Sequence, residues 1–183
     1  VGSTTFGHDP TSGRVTRIVA PVPDGMAGTS CPTAGTLVKG CRALDITYAT
    51  TTTASSTAPG DYTGRVKSGS ARLWDPTLTV PAMAPTYDGD GKITTVSREN
   101  PNPAGGADVT VARYVYGVPT SGAGLPTVND THTAWQQAKE AVTGYAVFGQ
   151  DYTGAVTGSG VDWGYADLSY VDDLGYTVNT ASY

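Results

Sequence analysis

Tyr87-Asp88-Gly89-Asp90-Gly91-Lys92-Ile93-Thr94-Thr95-Val96 is the stretch on which the fold turns. An aspartate opening a turn can accept a hydrogen bond from the backbone N–H two residues on. A glycine three positions later takes the positive φ that closes such a turn. The β-branched run Ile93, Thr94, Thr95, Val96 is what a returning strand requires. The stretch predicts a hairpin tip. An EF-hand calcium loop is the rival reading, but it would put Thr86 and Ser97 at ligand positions where acids belong.

The same signature recurs along the chain. Asp61 is followed by Gly64, Asp151 by Gly154 and Asp172 by Gly175, and Asp9 leads to Gly13 at one residue longer. Each copy is a candidate turn. Val15–Val19 follows the first, and Thr177 and Val178 follow the last. Further strands are expected at Arg42–Thr53, Ser70–Trp74 and Val109–Val118. The copies are unevenly spaced, so the repeat is degenerate, unlike a regular solenoid.

Composition agrees with a sheet. Among 183 residues there are 29 threonines and only 7 leucines, which suits pleated, half-exposed strands far better than helix packing. Eleven tyrosines and three tryptophans supply anchors that disordered Gly/Pro/Ser/Thr tracts lack. The net charge of −5 and the lack of any Lys/Arg cluster argue against nucleic acid. The apolar runs are too short to insert into a membrane as helices.

One segment breaks the pattern. Asn129, Asp130 and Thr131 can cap a helix, and Ala134, Trp135, Ala138, Ala141 and Val142 follow at helical spacing before Gly144. The expectation is an all-β protein, a twisted antiparallel sheet strip of hairpins with one short helix near 131–143. Thr50–Thr57 reads as an exposed strand end or an O-glycosylated loop.

Cys31 and Cys41 stand ten positions apart among Pro32, Gly35 and Gly40. A disulfide closing so short a loop is worth roughly 2–3 kcal/mol in the chain-entropy picture and fits an oxidising compartment. A pair of separate buried thiols is the alternative. Two thiolates alone do not make a zinc site, and His8 and His132 are isolated in sequence, so no metal or other cofactor is expected. The chain carries only two glutamates, its aspartates fall largely in turns, and no Gly-x-Ser-x-Gly elbow is present. No catalytic residue is nominated. Exposed aromatics at hairpin tips, Trp74, Tyr62, Tyr152 and Trp163, are the candidates for stacking on a ligand.

Phe6-Gly7-His8-Asp9 with Gly13-Arg14-Val15-Thr16, Tyr87–Thr94 and Tyr170–Gly175 resemble the tyrosine–aspartate repeat of RHS/YD-repeat proteins. In that family Tyr-Asp, two variable residues and Gly-Arg precede Leu/Val-Thr. Asp61–Lys67, Tyr114–Gly124 and Val178–Ala181 are similar to large actinobacterial members. Gly91 is followed by Lys and Gly175 by Tyr, where the family favours Arg. The resemblance implies a β strip that in long members spirals into a shell around a toxin, or is displayed at the cell wall. This chain is too short to close a shell.

The resulting expectation is a single module over 1–183, a segment of a longer or self-associating protein, secreted or at the cell surface. Its role would be structural, in a shell, stalk or fibre, and not enzymatic. Its partners would be neighbouring repeats or copies of itself through sheet edges, and glycans if the aromatics bind. A carbohydrate-binding or adhesion module is the main alternative, and a secreted hydrolase the remote one.

Overall fold

The computed structural model describes residues 3–22, 30–73, 75, 81–100, 107–128 and 139–182. They form an all-β fold. The strands are β1 (Thr5–His8), β2 (Val15–Val19), β3 (Arg42–Tyr48), β4 (Val66–Leu73), β5 (Met83–Tyr87), β6 (Ile93–Arg98), β7 (Val109–Val118), β8 (Thr143–Gly149), β9 (Ala166–Val171) and β10 (Thr177–Ala181). The one helical element among the described residues is a 3₁₀ turn at Trp163–Tyr165.

The chain divides into two compact units, Val1–Val109 and Thr110–Tyr183. In the first, β1 to β6 pair antiparallel in sequence order. In the second, β7 to β10 do the same. Such meanders follow from short or self-contained connections, which let each strand fold back beside its predecessor.

Four hairpins share one device. Gly13, Gly64, Gly91 and Gly175 adopt φ of 70°, 79°, 77° and 84°. Each donates its N–H to the carbonyl of a residue at the end of the outgoing strand: Asp9, Ala49, Asp88 and Asp172. Those four residues return their own N–H groups to the carbonyls of Arg14, Arg65, Lys92 and Tyr176, each just after the glycine. At Gly13, Gly91 and Gly175 this is the usual three- or four-residue hairpin solution, and at Gly64 the same closure spans a longer loop. The ladder then shifts register at the third residue past each glycine (Thr16, Lys67, Thr94 and Val178), a β-bulge that adds twist.

The first unit has a thin core. Val19, Leu37, Cys41 and Ala43 cluster beneath the loop that the Cys31–Cys41 disulfide closes between β2 and β3. The Cα atoms of the two cysteines are 5.6 Å apart. Threonine contacts supplement this core. Thr86 Oγ1 lies 2.9 Å from Thr94 Oγ1 and 2.6 Å from Thr95 Oγ1, and Thr47 Oγ1 meets Ser68 Oγ at 2.7 Å.

The second unit buries more. Val118, Ala146, Phe148, Ala166, Leu168 and Tyr170 lie in one cluster with Tyr152. Gly144 pairs with Tyr170 across β8 and β9, and a Cβ there would come within 2.9 Å of the tyrosine ring. This corrects the expected helix where its end is described. Lys139–Val142 is irregular, and Thr143 and Gly144 belong to β8, where a residue without a side chain makes room for Tyr170. Residues 129–138 of that span lie outside the described residues.

Candidate functional site

The predicted turn glycines close hairpin tips at Gly13, Gly64 and Gly91 in the first unit and at Gly175 in the second. At three tips the aspartate works as its spacing suggested. Asp9 Oδ1 accepts from the N–H of Thr11 (3.1 Å) and Ser12 (2.7 Å). Asp88 Oδ1 accepts from Asp90 (3.0 Å) and Lys92 (2.9 Å), and Asp172 Oδ1 from Leu174 and Tyr176, both at 2.9 Å. Hydrogen bonds to the Ser12 backbone and side chain hold the Asp9 carboxyl below the usual carboxylate range.

Two copies depart from this geometry. Gly64 closes its turn on Ala49, not on Asp61, and residues 50–63 form a long insertion within the hairpin. The Asp61 carboxylate instead meets Lys67 Nζ at 2.6 Å. The insertion is knitted by its own threonines: Thr52 Oγ1 accepts from the Thr63 N–H, and Thr53 Oγ1 from the Asp61 N–H. The Thr50–Thr57 run is therefore a folded loop. Asp151 and Gly154 lie in the connection between β8 and β9, and Gly154 is held by its carbonyl, which accepts from Arg113 at 3.0 Å.

Neighbouring hairpins are tied by two tyrosine hydroxyls. Tyr48 Oη donates to the carbonyl of Val15 at 2.9 Å, and Tyr87 Oη to that of Val66 at 2.8 Å. Both tyrosines precede the turn acceptor, Ala49 or Asp88, and both target the second residue after a turn glycine. The Arg14 guanidinium lies over the Tyr48 ring, 5.1 Å from its centroid, and against Gly64. Burial pushes the Tyr87 hydroxyl above its ordinary pKa.

An ion-pair cluster braces β2, β3 and β4. Arg17 binds Asp45 through Nε (2.6 Å) and Nη2 (2.9 Å), and its Nη1 donates to the Gly35 carbonyl in the disulfide loop. Arg72 Nε lies 3.4 Å from the same carboxylate. The hydrogen bond from Arg17 holds the Asp45 carboxyl low, and Asp45 raises Arg17.

The aromatic candidates fall in different settings. The half-buried Tyr62 packs its ring on Gly91. Tyr152 is buried, stacked between Phe148 (4.7 Å) and Tyr165 (5.3 Å). Its hydroxyl donates to the Ala155 carbonyl and accepts from the Asp162 N–H, which shapes the loop before β9. Trp163 is half-buried, 5.9 Å from Phe148, and lines a cleft of about 480 Å³ in the second unit. Trp74 and His132 lie outside the described residues. His8 is exposed, its Nδ1 3.1 Å from the Gly13 carbonyl. Tyr165, which the sequence reading did not single out, is exposed at the rim of the aromatic stack.

Among the described residues no group of three or more His, Cys, Asp or Glu side chains converges as a metal site would require. No family model, curated protein or solved structure matches the chain.

Proposed function

We propose that this chain is a non-enzymatic, extracellular structural module, a strip of stacked hairpins that extends through its sheet edges. The observation that carries this reading is the repeated tie between hairpins, Tyr48 to Val15 and Tyr87 to Val66. Hairpins that pair edge to edge and repeat the same tie to the hairpin before them add length without needing a closed core. The likeness of its turn sequences to tyrosine–aspartate repeats supports the same reading, and the disulfide is compatible with life outside the cell.

The edges suit association. Among the described strands β1 pairs only with β2, and it carries Phe6 exposed on its surface. An unpaired strand edge is a template for another strand. Replacing Phe6 with lysine places a charge on that edge at an exposed position. The variant should stay folded and lose any association seen in the parent by light scattering. Association unchanged by Phe6→Lys would count against β1 as the contact.

A further inference from the structure

The second unit holds a cleft that the structural reading does not use. Its floor is Val115, Leu125, Val156, Val161 and Trp163, all packed against the buried cluster. Its rim carries the exposed hydroxyls of Ser121, Thr157 and Ser159. Among the described residues none of the lining side chains is charged. About 480 Å³ falls within the ~300–1,000 Å³ usual for small-molecule sites.

Both walls are built before any ligand arrives. Leu125 donates its N–H to the Gly122 carbonyl and Val128 to that of Thr120. Gly124, at φ 72°, brings bare backbone alongside the Trp163 ring, where an added Cβ would sit 3.5 Å from Cδ1. The opposite wall hangs on the two Tyr152 hydroxyl bonds and on the Gly164 N–H, which donates to Asp162 Oδ1. Phe148 fixes the indole from beneath. A preset wall spares a ligand the cost of ordering it.

We propose that this cleft binds a neutral carbohydrate, with a sugar ring stacked on Trp163 and its hydroxyls meeting those of Ser121, Thr157 and Ser159. The chemistry selects this class. A sugar presents an apolar C–H face to an indole and hydroxyls to a polar rim, and it needs no counter-charge. A phosphate or carboxylate ligand would find no cation among the described lining residues, and an alkyl chain would leave the rim hydroxyls unused. This site is independent of edge association, so either can fail alone.

The test is titration of the full chain with short cello-, xylo-, manno- and chito-oligosaccharides by calorimetry. At least one series should bind, with an affinity insensitive to added NaCl. Trp163→Ala should weaken it about tenfold or more, on the order of one stacked ring. Because Trp163 also touches the core, Thr157→Trp is the second variant: it starts from an exposed position, should keep the parent melting temperature and should block the cleft. The proposal is overturned if none of the four series binds, if Thr157→Trp binds as the parent does, or if binding disappears in salt.

Discussion

The hydroxyl of Tyr48, at the end of β3, donates to the carbonyl of Val15, at the start of β2, and the pair Tyr87–Val66 repeats this bond one hairpin further on. Each bond spans from one hairpin to the one before it, so it ties units that backbone ladders alone would leave free to slip in register. Phenylalanine at either position keeps the ring and removes the tie. Tyr87 is only 4% exposed, so Tyr87→Phe leaves the Val66 carbonyl short of a partner where water is scarce. The expected loss is about 1–2 kcal/mol for Tyr87→Phe and less for the half-buried Tyr48→Phe, measured by urea unfolding. Equal stability in both variants and the parent would remove the tie from the account.

The turn aspartates should separate by role. Asp88→Ala removes the acceptor for two backbone N–H groups and should cost about 1 kcal/mol. Asp61→Ala removes only the ion pair to the exposed Lys67 and should fall within about 0.5 kcal/mol of the parent. Gly64→Ala, at φ 79°, should cost about 1–2 kcal/mol although its neighbour Asp61 is dispensable. The ranking is readable from three denaturation curves.

Acid should loosen the first unit through Asp45. Its folded carboxyl is held below the ordinary value by Arg17, so the stability it contributes is full above the unfolded pKa near ~3.9. That contribution is lost as pH falls through the lower folded pKa. Asp45→Asn should therefore be less stable than the parent near neutrality and show a shallower decline below about pH 4. Parallel pH profiles for the two proteins would contradict the assignment.

The disulfide loop should be the other support of that unit. Reduction should cost roughly 2–3 kcal/mol, seen as a lower melting temperature in reductant. Gly7→Ala should cost about as much without any redox change, because a methyl group there meets the backbone carbonyl of Thr33 in the same loop. A Gly7→Ala protein as stable as the parent would mean that the loop does not sit on β1.

Much of this architecture was legible in the residues. Val109–Val118 matches β7 from end to end, and the tips at Asp9, Asp88 and Asp172 each contain the bond to the N–H two residues on that their sequence implies. The Asp61 copy misled because the bulge needs only a glycine and two backbone groups, and Ala49 supplies those as well as an aspartate does. Strand β5 was hidden by Pro85. It is tolerated because β5 pairs with β4 only at Met83–Gly69, so no ladder bond is missed beyond that point. Strand β8 was obscured by Gly144 and Ala146, small residues whose place is set by Tyr170 and Leu168 on the next strand. The tyrosine ties could have been suspected from Tyr48 and Tyr87, each ending a strand, but their acceptors are main-chain atoms that no side chain announces.

The central claim is extension through sheet edges, and the most direct measurement is the mass of the unreduced chain in solution by light scattering across concentration, with negative-stain imaging of the same samples. The account predicts species larger than 18.7 kDa that grow with concentration into strips or filaments. A monomer of 18.7 kDa at every concentration would contradict it.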